Sequence, residues 1–192
     1  LIALLFTFLG FKRIVFLTIF ILSISYLLFP KNLAHYKWRL IFLILLVNTI
    51  LIIMTFFFLQ GYFDEYIADL FDISANAFSM GRMSLLSNLV AEYGSPSFFG
   101  IGLGGIYNSN ILMNENGNVL LHSDILKLLY ELGIFAFIIW LISFYSINFI
   151  KKKTLFLALY LNILFFTDNI LIYFHVMFPF YLLQANLILR SY

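Results

Sequence analysis

The chain has 192 residues, 64% of them hydrophobic and 10% charged, with a net charge of +2. Soluble domains are about half apolar and a quarter charged, so the composition excludes a water-soluble fold and makes lipid the solvent for most of the surface. There is no cysteine, which excludes a disulfide framework, a thiolate metal site and a cysteine nucleophile, and the small net charge gives nucleic acid no reason to bind.

The expected fold is all-α: a multi-spanning transmembrane helical bundle with one long structured loop. The 25 Phe and 12 Tyr suit lipid-facing helices with aromatic belts. The chain opens on Leu1 inside an apolar run, without the segment order of a signal peptide. It reads as a C-terminal fragment whose N-terminal helices are missing. A spanning helix needs about 20 apolar residues. The candidates are 14–29, 40–59, 125–150, and two spans within 155–189 that part near Thr167-Asp168-Asn169. Residues 1–60 and 123–192 are thus expected in the membrane, with 61–122 as the loop.

Basic residues flank the inner ends of spans. Lys31, Lys37 and Arg39 follow the first span, Lys151, Lys152 and Lys153 the third, and Arg190 the last. With five alternating spans all three groups fall on the cytoplasmic side. The 61–122 loop then lies outside, and it carries Asp64, Glu65, Asp69, Asp72, Glu92 and Glu115 against a single Arg82. Lys12 and Arg13 fall on the outer face against this bias. Either they snorkel at the interface or they meet an anion.

Within the loop, Leu85, Leu86, Leu89, Val90 and Tyr93 recur at helical period, opposite Ser84, Ser87, Asn88 and Ala91. This predicts an amphipathic helix on or in the membrane surface. A glycine-rich stretch follows, with Gly100, Gly102, Gly104 and Gly105. The dinucleotide fingerprint needs a strand before and a helix after such glycines, and neither is evident, so a tight packing turn is expected. Asn116-Gly117 predicts a small hairpin turn.

The loop ends at Leu121-His122-Ser123-Asp124, with Ser123 or Asp124 placed to cap the third span. The positive helix end disfavours a protonated imidazole, and a neutral His can act as a general base. His122 could equally be a capping or interface residue. Asp124, Lys127 and Glu131 share one helical face, where ionisable groups turn toward a bundle interior or a wet cavity. A mutual ion-pair ladder would satisfy them structurally. Asp168 has capping of the broken helix as its structural role.

Three stretches carry a family resemblance. The first is Thr7-Phe8-Leu9-Gly10-Phe11-Lys12-Arg13. The second is Gly81-Arg82, with its helix and then Pro96-Ser97-Phe98-Phe99-Gly100-Ile101-Gly102-Leu103-Gly104. The third is His122-Ser123-Asp124 through Tyr130-Glu131-Leu132-Gly133-Ile134. Over residues 7–175 their order resembles the C-terminal half of the O-antigen polymerase and O-antigen ligase superfamily, although that family more often shows Ser-Arg where this chain has Lys-Arg. The resemblance implies a bacterial inner-membrane glycosyltransferase with its active face extracytoplasmic. It implies inverting transfer from an undecaprenyl-pyrophosphate-linked glycan, with no metal or cofactor, and a chain-length regulator as a further partner.

On that resemblance, Arg82, Arg13 and Lys12 hold the pyrophosphate, His122 deprotonates the acceptor hydroxyl, and Asp124 orients the imidazole or binds sugar. Glu131 and Asp168 contact sugar or serve the structure. Polymerisation of repeat units for O-antigen, capsule or exopolysaccharide is the leading expectation. A ligase passing finished glycan to an acceptor is the alternative within the family. A polysaccharide transporter or flippase would show two similar halves with broken helices, and the sequence has no internal repeat. A non-catalytic membrane subunit would have no use for converging Arg13, Arg82 and His122.

Overall fold

The computed structural model describes residues 13–28, 36–79, 81–108, 113–114, 117–118, 121–149 and 151–189. Lys12, Lys31, Asn116 and Arg190 lie outside the described residues. The elements in chain order are α1 (Arg13–Leu28), α2 (Lys37–Leu59), α3 (Asp64–Phe71), α4 (Ala75–Phe78) and α5 (Arg82–Tyr93). A 3-10 turn (Ile106–Asn108) and two short strands, β1 (Met113–Asn114) and β2 (Gly117–Asn118), come next. Then follow α6 (Asp124–Asn148), α7 (Lys152–Thr167), a second 3-10 turn (Ile170–Ile172) and α8 (Phe174–Leu189).

Among the described residues two helices are long and apolar enough to cross a membrane: α2, with 23 residues, and α6, with 25. The other apolar helices, α1, α7 and α8, have 16 residues each. At about 1.5 Å per residue that is about 24 Å, short of the ~30 Å hydrocarbon layer. The break expected in 155–189 is present: α7 ends at Thr167 and α8 starts at Phe174. Helix α2 keeps most of its apolar side chains exposed, from Phe42 and Leu43 to Met54 and Phe57. Its polar side chains turn back on their own helix. Asn48 donates to the Ile44 carbonyl at 2.8 Å, Thr49 to Leu45 at 2.9 Å and Thr55 to Leu51 at 2.8 Å. Such back-bonding is how a polar group is satisfied where the surroundings offer no partner.

The chain separates into two compact units, one of residues 1–41 with 142–192 and one of residues 42–141. In the first, α1 packs on α7, with Tyr26 edge-on to Phe156 at 5.3 Å. Phe144 of α6 meets Phe165 of α7 and Phe180 of α8. Thr154 ties the α6–α7 turn by donating to the Asn148 carbonyl at 2.7 Å and accepting from the Lys151 N–H at 3.2 Å.

The second unit holds the loop. Helix α5 contains the residues that recur at helical period, Leu85 to Tyr93, but its apolar face is buried against protein. Leu86 and Leu89 join Ile106, Leu121, Leu126 and Tyr130 in one buried cluster, flanked by Phe56 and Leu59 of α2. Two helices were not anticipated. Asp64 and Glu65 start α3, where acids favour a helix N-terminus, and Ser74 caps α4 by accepting from the Ala77 N–H at 3.2 Å. The hairpin differs in register from its expected turn. Asn114 pairs with Gly117, so Gly117 belongs to a strand and not to the turn.

Candidate functional site

Helix α6 is not the continuous helix expected. At Gly133 the backbone takes φ 77° and ψ 168°, outside the helical region. In an unbroken helix Ile134 would bond to Tyr130 and Phe135 to Glu131. Both pairs are opened here, and the glycine-rich loop fills them. The Ile134 N–H donates to the Ser97 carbonyl at 3.0 Å and the Phe135 N–H to Phe98 at 3.3 Å. The freed Tyr130 and Glu131 carbonyls accept from the N–H groups of Ile101 and Gly102, each at 3.0 Å. Four inter-segment bonds thus replace two helical ones.

This docking needs two glycines. A Cβ at Gly100 would overlap the Glu131 carbonyl oxygen and the Gly133 nitrogen. A Cβ at Gly133 would overlap the Gly100 nitrogen and the Phe98 carbonyl. Both residues also have positive φ, at 73° and 77°, which a side chain disfavours. The Tyr130 hydroxyl donates to the Gly94 carbonyl at 2.8 Å, and Phe98 stacks on Phe135 at 5.4 Å. The loop is therefore strapped to α6 from 94 to 102. Its outer edge stays apolar, with Phe99 and Leu103 exposed.

Just ahead of α6, Ser123 is the cap that the sequence indicated. Its Oγ accepts from the Leu126 N–H at 3.4 Å and its carbonyl from the Lys127 N–H at 3.0 Å. Ser123 and Asp124 are both buried. His122 is half-buried and adopts φ 51°, in the left-handed region. The other described non-glycine residue in that region is Asp72, which ends α3 and donates its N–H to the Ala68 carbonyl at 2.8 Å. A left-handed residue after a helix is a common terminator. One before a helix answers to no such motif, and strain of this kind gathers at functional sites.

Lys127 places its ammonium over the Tyr107 ring, 4.3 Å from its centre. Glu131 is buried and its Oε1 has no hydrogen-bond partner among the described residues. The preference of Lys127 for Tyr107 follows from the 3-10 turn, whose Ile106 is anchored in the same cluster as Leu126. Nothing in the sequence placed Tyr107 beside α6.

Arg82 is the first residue of α5 and half-buried. It precedes Leu86 by one turn and so shares the helix face that enters the cluster. No hydrogen bond or ion pair joins its guanidinium to another described residue. Arg82 and His122 therefore stand on two elements tied by one core, through Leu86 and Leu89 on one side and Leu121 and Leu126 on the other. Arg13, which opens α1, and Asp168 belong to the other unit. Asp168 does what a residue at a helix break does: its Oδ1 accepts from the Asn169 N–H at 2.9 Å and the Tyr173 hydroxyl at 3.1 Å. Among the described residues no three His, Asp or Glu side chains gather as a metal site.

No protein-family model, characterised protein or solved structure matches this chain.

Proposed function

We propose that this chain is a multi-spanning membrane glycosyltransferase. In this reading its 61–122 loop lies on the outer face of a bacterial inner membrane and it joins oligosaccharide repeat units carried on undecaprenyl pyrophosphate. The observation that carries the reading is His122. It is a half-buried imidazole on a strained backbone, directly before the buried cap of a helix long enough to cross a membrane. Arg82, the only basic residue of the acidic 61–122 loop, sits on the helix that shares its core.

The chemistry asks little more. The acceptor hydroxyl attacks the anomeric carbon and gives its proton to His122. The bond from that carbon to the pyrophosphate breaks, and its electron pair leaves with the phosphate oxygen. The leaving group gains charge as it departs, so a fixed guanidinium stabilises the transition state more than the ground state. Arg82 supplies it, with a planar fork that matches phosphate oxygens. The exposed Phe99 and Leu103 of the strapped loop suit a site at a lipid surface, where the carrier's isoprenoid stays in the bilayer.

Surface polysaccharide and lipid-linked intermediates from a strain lacking the gene test the reading. Single repeat units accumulating on the lipid are the expected result. Full-length polymer stranded on lipid would make the chain a ligase, and unchanged polysaccharide would end the glycosyltransferase reading.

A further inference from the structure

Helix α6 changes character at its break. From Asp124 to Gly133 none of its residues is exposed, and Leu126 and Tyr130 enter the cluster with α5. Exposure begins at the next residue: Ile134, Phe135, Ile138 and Ile139 are all open. Charge divides at nearly the same point. Asp124, Lys127 and Glu131 lie before the break, and α6 has no charged residue after it. One half of α6 is thus built against protein. The other presents apolar side chains to its surroundings, in a helix long and apolar enough to cross a membrane.

The strapped loop meets α6 at that division. Its bonds fall on Tyr130, Glu131, Ile134 and Phe135. Phe98 stacks on Phe135 and meets Phe99 edge-on, with ring centres 5.0 Å apart. Phe99 is 82% exposed and Leu103 76%. Residues 94–105 carry no charge. The exposed apolar surface of α6 therefore continues onto the loop through Phe135 and Phe98.

We propose that the strapped loop seats the chain at a lipid surface: Phe99 and Leu103 enter the acyl boundary beside α6, and the Gly133 break stands at that boundary. The occupant follows from continuity. The medium that covers Ile138 and Ile139 on a spanning helix also reaches Phe135, and Phe98 stacks on that ring with Phe99 beside it. Depth follows from the backbone. Among the described residues no group accepts from the N–H of Phe98, Phe99 or Leu103, and a lipid-exposed loop with such groups does not lie within the hydrocarbon. The backbone stays where water completes these bonds, and the side chains reach about 5–10 Å into the boundary, as on an interfacial helix. Asp124 then stands about 14 Å above the boundary, at 1.5 Å of rise per residue. The three ionisable groups of α6 thereby escape the cost of charge in hydrocarbon. The boundary falls inside the 125–150 stretch that hydropathy assigns whole to the membrane. The proposal rests on α6 crossing a membrane, part of the reading above, and is independent of the transfer chemistry.

The chain has no cysteine, so single nitroxide labels report depth directly. Ser95→Cys, Phe99→Cys, Leu103→Cys and Ser143→Cys are all exposed positions. Each labelled full chain is reconstituted in phosphatidylcholine vesicles. Electron paramagnetic resonance then compares access by oxygen, which concentrates in lipid, with access by a water-soluble nickel chelate. Labels at 99 and 103 should favour oxygen and lie about 5–10 Å below the boundary. The label at 95 should favour the chelate. The label at 143, about 15 Å below Gly133, should be the deepest. Chelate access at 99 and 103 equal to that at 95, with 143 in lipid, would overturn the proposal alone. So would depth at 99 equal to that at 143, which would make the loop re-entrant, or exclusion of both reagents at 99 and 103, which would mean a protein covers them. Chelate access at 143 would overturn the membrane reading of α6 and the proposal with it.

Discussion

His122 holds its backbone in a region that costs a residue with a side chain about 1–2 kcal/mol. Glycine adopts that region freely, so His122→Gly should keep or raise the melting temperature of the purified chain while abolishing transfer. A clear fall in melting temperature would mean that the imidazole's contacts outweigh the strain, making His122 structural. Transfer itself separates two chemical roles. If His122 is the base, His122→Ala loses about 10²–10⁴ in rate, and His122→Gln fails as badly because an amide takes no proton at neutral pH. Near-normal turnover in His122→Gln would reduce the residue to positioning. Arg82 answers to a different comparison. Arg82→Ala should abolish polymer, and Arg82→Lys should impair it clearly, because an ammonium cannot hold two phosphate oxygens in a fork. Polymer at the normal level in Arg82→Ala, with normal expression, would remove the pyrophosphate role. The Ser123 cap was legible because Ser-Asp stands immediately before an apolar run. The φ of His122 was not, because it depends on where the preceding residue is held, and Leu121 is held in a cluster with residues 32 and 35 positions upstream, Leu89 and Leu86.

At the scale of elements the docking of the 94–102 loop into broken α6 is the feature most open to test. Gly100→Ala and Gly133→Ala each introduce a Cβ into the other segment's backbone and also force a positive φ on alanine. Each should destabilise the chain by several kcal/mol, in the range reserved for disrupted cores and networks. Gly104→Ala is the control. It has φ 78° but open space around its Cβ position, so it should cost only the conformational term, about 1 kcal/mol. Thermal unfolding in detergent measures all three, and equal losses would show that the close approach contributes nothing. The sequence showed a glycine-rich loop expected to pack as a tight turn, and Gly133 stood in it only as part of an apolar span. It could not signal their meeting, because a helix period continues across Gly133 and only a distant backbone makes the break affordable. For the same reason spacing placed Asp124, Lys127 and Glu131 on one face of the helix but could not reveal Tyr107, over whose ring Lys127 places its ammonium.

At the scale of the molecule, the membrane reading makes a prediction that the absence of native cysteine simplifies. In single-cysteine variants, Ser95→Cys should react with an impermeant maleimide from outside the cell and Asn32→Cys only after permeabilisation. Ser95→Cys labelled only from inside would reverse the orientation and take the site to the wrong face for an extracytoplasmic donor. Composition by itself determined the apolar, helical character of the chain. Periodicity determined α5, and the apolar runs determined α2 and the break between α7 and α8. These are properties of consecutive residues facing one solvent, so sequence carries them directly. Tertiary structure alone decided that α6 opens at Gly133, that α5 spends its apolar face on protein, and that Arg82 and His122 stand on elements sharing one core. Each of these depends on backbone and side chains brought together from distant positions, where a bond lost in one segment is replaced by another, and no local pattern records that exchange.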